Sequence, residues 1–295
     1  TKSASEVEII DGETRQKHTF KAKIIFLCAS TVPSTSILMQ STSKRFPNGL
    51  GNDSGELGHN IMDHHFVVGA SAKIENFKEK YYKGRKPGGI YIPRFRNIGG
   101  NSDSKDFIRG YGYQGGAYRT SMSEVVAELK YGPELKEAIL KPGGWRIGVT
   151  GFGETLPDHN NKMYLDYDKL DEWGLPTVTF DADFGENELA MRKDMKDQAV
   201  KMFKSAGYKD VEGYDSIDSR AMGLGIHEMG TARMGHDPKT SVLNKYNQIH
   251  TCKNVFVTDG SFMTSSACQN PSLTYMAFTA RAANYASEQF KNGNL

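Results

Sequence analysis

The chain has 295 residues, 38% hydrophobic and 24% charged, with a net charge of +2. This is the composition of a globular chain of one large or two smaller domains, not of a disordered one, and the near-balanced charge excludes nucleic-acid binding as the main task. No apolar run approaches the ~18 residues of a membrane span, and Cys28, Cys252 and Cys268 are an odd, sparse set that excludes a disulfide framework. Thr1 to Glu6 has no apolar core and is not a signal peptide. The expectation is a soluble protein whose compartment, cytoplasm or periplasm, stays open.

In chain order, Val7 to Ile10 and Thr19 to Ala22 read as a hairpin turning through Asp11-Gly12-Glu13. Lys23 to Ser30 is a continuous apolar run, the pattern of a strand buried on both faces. Pro33 opens a helix reaching about Gln40, so this strand, turn and helix either present backbone N–H groups as a phosphate or adenosine site would or are a plain core strand and its connection. Gly58-His59-Asn60-Ile61-Met62-Asp63-His64-His65 invites a metal reading, with His59 and Asp63 spaced to share a helix face. No second ligand cluster at zinc spacing follows, so no metal is expected; the stretch reads as structural or cavity-lining.

From Phe66 to about Asp183 strands dominate: 66–74, 89–95, 108–118, 145–154, 162–167 and 177–181. Several alternate with period two, as in Met163-Tyr164-Leu165-Asp166-Tyr167, and few helical patterns separate them, which predicts an antiparallel sheet. Tyr111 to Tyr118, rich in Gly and Tyr, offers stacking faces for a sugar ring or ordinary core aromatics. A helix is predicted over 186–206, with Leu189, Arg192, Met195, Ala199, Met202, Phe203 and Ala206 on its packed stripe and Gly207 as its stop.

The last third carries the chemistry. Gly225-Ile226-His227-Glu228-Met229-Gly230 is followed by an apolar strand, Asn254 to Thr258, ending at Asp259-Gly260, and then by Ser266-Ala267-Cys268-Gln269-Asn270-Pro271-Ser272-Leu273. Asn270 is a favoured N-cap and Pro271 is tolerated at the first helical position. Leu273, Met276, Ala277 and Ala280 fall on one face of the helix that follows, which predicts close packing on a sheet. A neutral imidazole such as that of His227 can accept a hydroxyl proton, and an amide such as that of Asn270 can donate a hydrogen bond. Taken singly, each residue also has a structural explanation, a histidine before a Gly-rich turn and an asparagine as a cap.

Together these pieces resemble the C-terminal signature of the glucose-methanol-choline (GMC) family of flavin-dependent oxidoreductases. They are most similar to its bacterial gluconate and glycoside dehydrogenase-like large subunits, with pyranose oxidase as a relation. The resemblance implies an α/β fold in which 1–65 and 223–295 complete a flavin-binding domain and 66–222 form a substrate domain on an antiparallel sheet. It implies His227 and Asn270 as the catalytic pair, and Asp259, Gly260, Asn270, Pro271, Ser272 and Leu273 as contacts to FAD. Its expected activity is oxidation of a CH–OH group in a sugar, sugar acid or glycoside by proton abstraction and hydride transfer to the flavin. The dinucleotide fingerprint Gly-x-Gly-x-x-Gly is absent, since Gly223-Leu224-Gly225 lacks the third glycine. In the family that fingerprint lies upstream, so the partners implied are a missing N-terminal FAD-binding region, the sugar or sugar-acid substrate, and an electron-acceptor protein or small subunit. Two other readings stay open: a flavin-retaining lyase of the same fold, and a non-catalytic fragment that binds a sugar or a partner.

Overall fold

The computed structural model describes residues 3–77, 89–119, 132–140, 143–219 and 222–295. In chain order it contains β1 (Glu6–Ile10), β2 (Lys17–Lys21), β3 (Ile25–Leu27), α1 (Thr31–Gln40), β4 (Val68–Ile74), β5 (Gly89–Ile92), β6 (Tyr111–Arg119) and α2 (Pro133–Leu140). There follow β7 (Trp145–Gly153), β8 (Lys162–Leu170), β9 (Pro176–Asp181), α3 (Glu186–Ser205), β10 (Lys209–Asp215), β11 (Gln248–Ile249), β12 (Cys252–Val257) and α4 (Ser272–Lys291). The fold is α/β with antiparallel sheets, as expected. Among the described residues no helix is long and apolar enough to cross a membrane.

The chain forms two compact units, Thr1–His64 with Thr155–Asp183 and Met222–Leu295, and His65–Glu154 with Phe184–Ala221. The expected limits 1–65, 66–222 and 223–295 differ from these chiefly in one stretch, Thr155–Asp183, which belongs to the first unit. Backbone bonds explain this: Met163 donates to Gly58 (2.9 Å), and Ile61 donates to Asn161 (3.1 Å).

In the second unit β10-β4-β7-β6-β5 form one antiparallel sheet. Alternate residues of β4, Val68, Ala70 and Ala72, are buried with Tyr111, Tyr113, Ile147 and Val149, the period-two pattern of a sheet with one packed face. On α3 the buried stripe is Met191, Met195, Ala199 and Phe203, each four apart, so their side chains stack on one face. The expected stripe is corrected at both ends: Leu189 is 45% exposed and Met191 takes its place, because position 189 lies about 200° around the helix from 191, and Ala206 is exposed just past the end of α3. Arg192 is buried and held by Asp215. Tyr111 and Tyr113 are fully buried, with their hydroxyls donating to Asp194 and to the Met195 carbonyl (2.5 Å each), so they are core and not a sugar platform.

In the first unit β1 and β2 make the expected hairpin. β3 runs parallel to β12, with β11 on the other side of β12. The strand read as doubly buried is instead short and at an edge of this sheet, with Phe26 37% exposed. The packing face of α4 is also corrected. Leu273 and Met276 are 76% and 66% exposed, and the packed residues are Tyr275, Phe278, Ala282, Tyr285 and Ala286. This aromatic and small stripe closes on Phe262 and Phe256, with Phe278 stacked on Phe262 at 4.8 Å.

Candidate active site

The first unit brings three loops to one place. Residues 58–64 follow no helix, so His59 and Asp63 do not share a helix face. Met62 and Met229 exchange two backbone hydrogen bonds of 2.8 Å. That bridge lays the His59–His64 loop beside the Gly225–Gly230 loop. Gly230 donates to the Gly260 carbonyl (3.2 Å) and Ala232 to that of Ser261 (2.8 Å), which fixes the same loop against the end of β12. Thr155 holds the third loop, donating its backbone N–H to Ser266 Oγ (3.2 Å) and its hydroxyl to the Asp63 carbonyl.

Asp63, fully buried, is the anchor of His227. Its Oδ1 accepts the backbone N–H groups of His64 (2.7 Å) and His227 (3.0 Å), and its Oδ2 accepts that of Gly225 (2.6 Å). A Cβ at Gly225 would lie 2.5 Å from the His64 carbonyl oxygen and 2.8 Å from Asp63 Oδ1, so only glycine lets this backbone reach the carboxylate. The preceding turn residue at Ile226 sits at φ 58, a left-handed conformation that is costly for a β-branched side chain, and it is 78% exposed.

His227 and Asn270 meet. Asn270 Nδ2 lies 3.3 Å from His227 Nε2. On its other side His227 Nδ1 lies 2.9 Å from His64 Nδ1, with the two rings edge to face. His64 Nε2 donates to the Ala267 carbonyl, in the loop that carries Asn270. His64 is buried and His227 half-buried. Asn270 is exposed, and Pro271 occupies the cap position of α4.

The other candidate residues divide by exposure. Asp259 is buried, accepting at Oδ1 from Ser261 N (3.1 Å) and Ser261 Oγ (2.6 Å) and at Oδ2 from Ser34 Oγ. Gly260 is buried, and a Cβ there would meet the Glu228 carbonyl at 2.4 Å. Pro271 is buried too, whereas Ser272 and Leu273 are exposed beside Asn270. No group of three or more His, Cys, Asp or Glu residues suited to a metal occurs among the described residues; His59 instead stacks on His159 at 4.0 Å. A groove of about 690 Å³, lined by Met39, Asn52, His59, Lys162, Tyr164 and Asp181 among others, contains neither His227 nor Asn270.

Burial sets the protonation of the cluster. It lowers His64 from 6.5 to about 4, against the opposing Ala267 bond, and it raises Asp63 from 3.8 to about 6, against three backbone N–H bonds. His227 is lowered by burial, with Glu228 opposing. The linkage of the two anchors has opposite sign. The raised Asp63 contributes stability below pH 3.8 that is lost as pH rises through 6. The depressed His64 contributes stability above pH 6.5 that is lost as pH falls toward 4. Between pH 4 and 6 the folded protein gains one proton and forgoes the other, so the pair leaves stability nearly flat. Asp63→Asn unmasks His64. Denaturant titrations between pH 6.5 and 4 are expected to show the variant losing stability, relative to the parent, with a slope approaching ~1.4 kcal/mol per pH unit. Parallel curves would refute the assignment.

The sequence reading placed His227 and Asn270 together in function but treated Asp63 and His64 as structural or cavity-lining. The Asp-His dipeptide in its Gly-initiated loop was the available signal.

Residues 157–279 match the family model described as GMC oxidoreductase. Over 294 residues the chain is 30% identical to 2-methyl-1,2-propanediol dehydrogenase of Mycolicibacterium austroafricanum, covering 98% of this chain and 52% of that protein. It is 26% identical to the fructose dehydrogenase large subunit of Gluconobacter japonicus, over 95% of this chain and 50% of the relative. Formate oxidase of Aspergillus oryzae, a structure described for FAD modification, superposes with a TM-score of 0.60 at 14% identity, covering 99% of this chain and 58% of that one. The chain therefore spans about half the length of the curated relatives it matches. The family is flavin-dependent. At residues 157–279 the chain carries the C-terminal domain of the GMC oxidoreductases.

Proposed function

We propose that the chain is the C-terminal, active-site-bearing part of an FAD-dependent oxidoreductase that oxidises a CH–OH group of a polyol, sugar or sugar acid. The observation that carries this reading is the 3.3 Å approach of Asn270 Nδ2 to His227 Nε2, from loops 43 residues apart. A hydroxyl oxygen within hydrogen-bond reach of both atoms would give its proton to the imidazole and accept a hydrogen bond from the amide. Burial lowers the pKa of His227, which keeps the ring neutral and able to take a proton near pH 7. The diol and fructose dehydrogenases among its relatives support the substrate class, and the dehydrogenase names support an electron carrier, or a partner subunit, as acceptor rather than oxygen.

The residues fit a flavin. The start of α4, with Pro271 at its cap position, offers its positive end next to Asn270, and exposed Leu273 and Met276 give an apolar surface on the same turns. Bound FAD supplies the hydride acceptor. In this chain Asn270, Ser272 and Leu273 are the candidates for direct contact with it, and buried Asp259, Gly260 and Pro271 shape the backbone that presents them. The phosphate-binding glycine turn would come from the N-terminal region of the full-length protein.

Anaerobic addition of a polyol or sugar panel to the yellow full-length protein is expected to bleach its flavin absorbance. A flavin that stays oxidised while a substrate is cleaved would identify a lyase. A colourless full-length protein would refute the flavin reading.

A further inference from the structure

We propose that His64 is a positioning residue that fixes the tautomer of His227, so that the bare ring nitrogen Nε2 faces Asn270 and the substrate. The inference deepens the proposed function, and its tautomer part rests on hydrogen-bond geometry and the burial of His64, not on the catalytic reading.

The argument passes from atom to atom. The Ala267 carbonyl oxygen has lone pairs and no proton, so His64 Nε2, which contacts it, carries the hydrogen. His64 is buried and held neutral by that burial, so its second nitrogen, Nδ1, has no hydrogen. His227 Nδ1 lies 2.9 Å from that bare nitrogen and therefore donates to it. A neutral imidazole has one N–H, so His227 Nε2 is left as the acceptor and receives the amide hydrogen of Asn270. Asp63 sets the frame: its carboxylate grips the backbone N–H groups of both His64 and His227, so the two rings keep their separation. The titratable groups that bear on the pair are Asp63, which holds both backbones, and Glu228, whose charge opposes the lowering at His227.

A neutral imidazole in this place differs from a carboxylate. A carboxylate would draw a proton onto His227 and raise its pKa, filling Nε2 in the resting state. The His64 lone pair orients the ring without adding charge. When His227 takes the substrate proton at Nε2, the Nδ1–H bond to His64 becomes charge-assisted and shorter, so the same contact helps to hold the imidazolium.

The test uses the full-length protein with its histidines labelled in ¹⁵N, the His227 signals being assigned by their loss in His227→Gln. Protonated and bare ring nitrogens resonate far apart, so the tautomer is read directly, with or without turnover. The parent is expected to show His227 with Nδ1 protonated. His64→Leu removes the acceptor and is expected to move His227 to the Nε2–H form or to a mixture. His64→Asn places an amide oxygen near the former Nδ1 and is expected to restore the parent form. Flavin reduction should fall roughly 10–100-fold in His64→Leu, the scale seen when the partner of a metal-bound imidazole is removed, and recover in His64→Asn. A parent His227 protonated at Nε2, or a His64→Leu variant with unchanged His227 signals, overturns the inference. If the tautomer follows His64 but His227→Ala reduces flavin at the parent rate, the tautomer assignment stands and the catalytic role of His227 fails.

Discussion

His227→Ala is expected to lower the rate of flavin reduction by alcohol ~10²–10⁴-fold in the full-length protein, at saturating substrate and neutral pH. The ring is half-buried and is tied to the fold through its backbone N–H on Asp63, a bond that the alanine variant keeps. Stability should therefore change little beside the rate, which separates loss of a base from collapse of the loop. Asn270→Ala provides the comparison. Because Asn270 is exposed and the cap position of α4 falls at Pro271, its stability should stay within about 0.5 kcal/mol of the parent, below the ~1 kcal/mol of a lost N-cap. Its cost should fall on turnover through loss of the amide donor. Stopped-flow reduction and denaturant melts on the two variants give both quantities. A His227→Ala protein that reduces flavin as fast as the parent would return His227 to a structural role, with His64 or another group left to accept the proton.

How much of this was legible in the sequence follows from where each signal resides. The antiparallel sheet was readable because strand burial writes itself into every second residue, as it does along β7. That His227 and Asn270 act together was implied by the family signature they sit in, not by local pattern, and the two side chains lie 3.3 Å apart. The face of α4 was misread through weight given to aliphatic residues. Tyr275, Phe278, Ala282, Tyr285 and Ala286 recur at helical spacing as plainly as Leu273, Met276, Ala277 and Ala280 do, and aromatic area decides which face packs. The Asp-His dipeptide marked the loop, but the partners of Asp63 were unreadable, because they are backbone N–H groups, two of them 162 and 164 positions away, and backbone donors are the same at every residue but proline. The edge strand β10, Lys-Asp-Val-Glu-Gly-Tyr-Asp, is too polar for the hydrophobic pattern to reveal; only its pairing with β4 defines it.

Gly230→Ala should be the most damaging small change in the first unit. Gly230 has φ +101, and a Cβ there would lie 2.0 Å from the Asn60 carbonyl oxygen and 3.1 Å from Met62 Cε. Two costs combine. An L-residue at such a φ carries strain of ~1–3 kcal/mol, and an overlap with backbone cannot be relieved by a rotamer change, adding about 1–3 kcal/mol as the main chain shifts. Gly223 separates the two, since it has φ +96 and nothing within 4 Å of its Cβ position. Gly223→Ala should therefore cost the strain alone, and Gly230→Ala should exceed it by the overlap. The shift also has a direction. Pushing Asn60 away from Gly230 pulls on the Met62–Met229 bridge, which lies between that contact and Asp63. The backbone that presents His227 moves with it. Equilibrium denaturation of both variants, with His227 ring signals followed in each, measures the energy and the displacement together. Equal destabilisation by the two substitutions would show that the 58–64 loop yields freely, and that the Asp63 anchor does not depend on the glycine at 230.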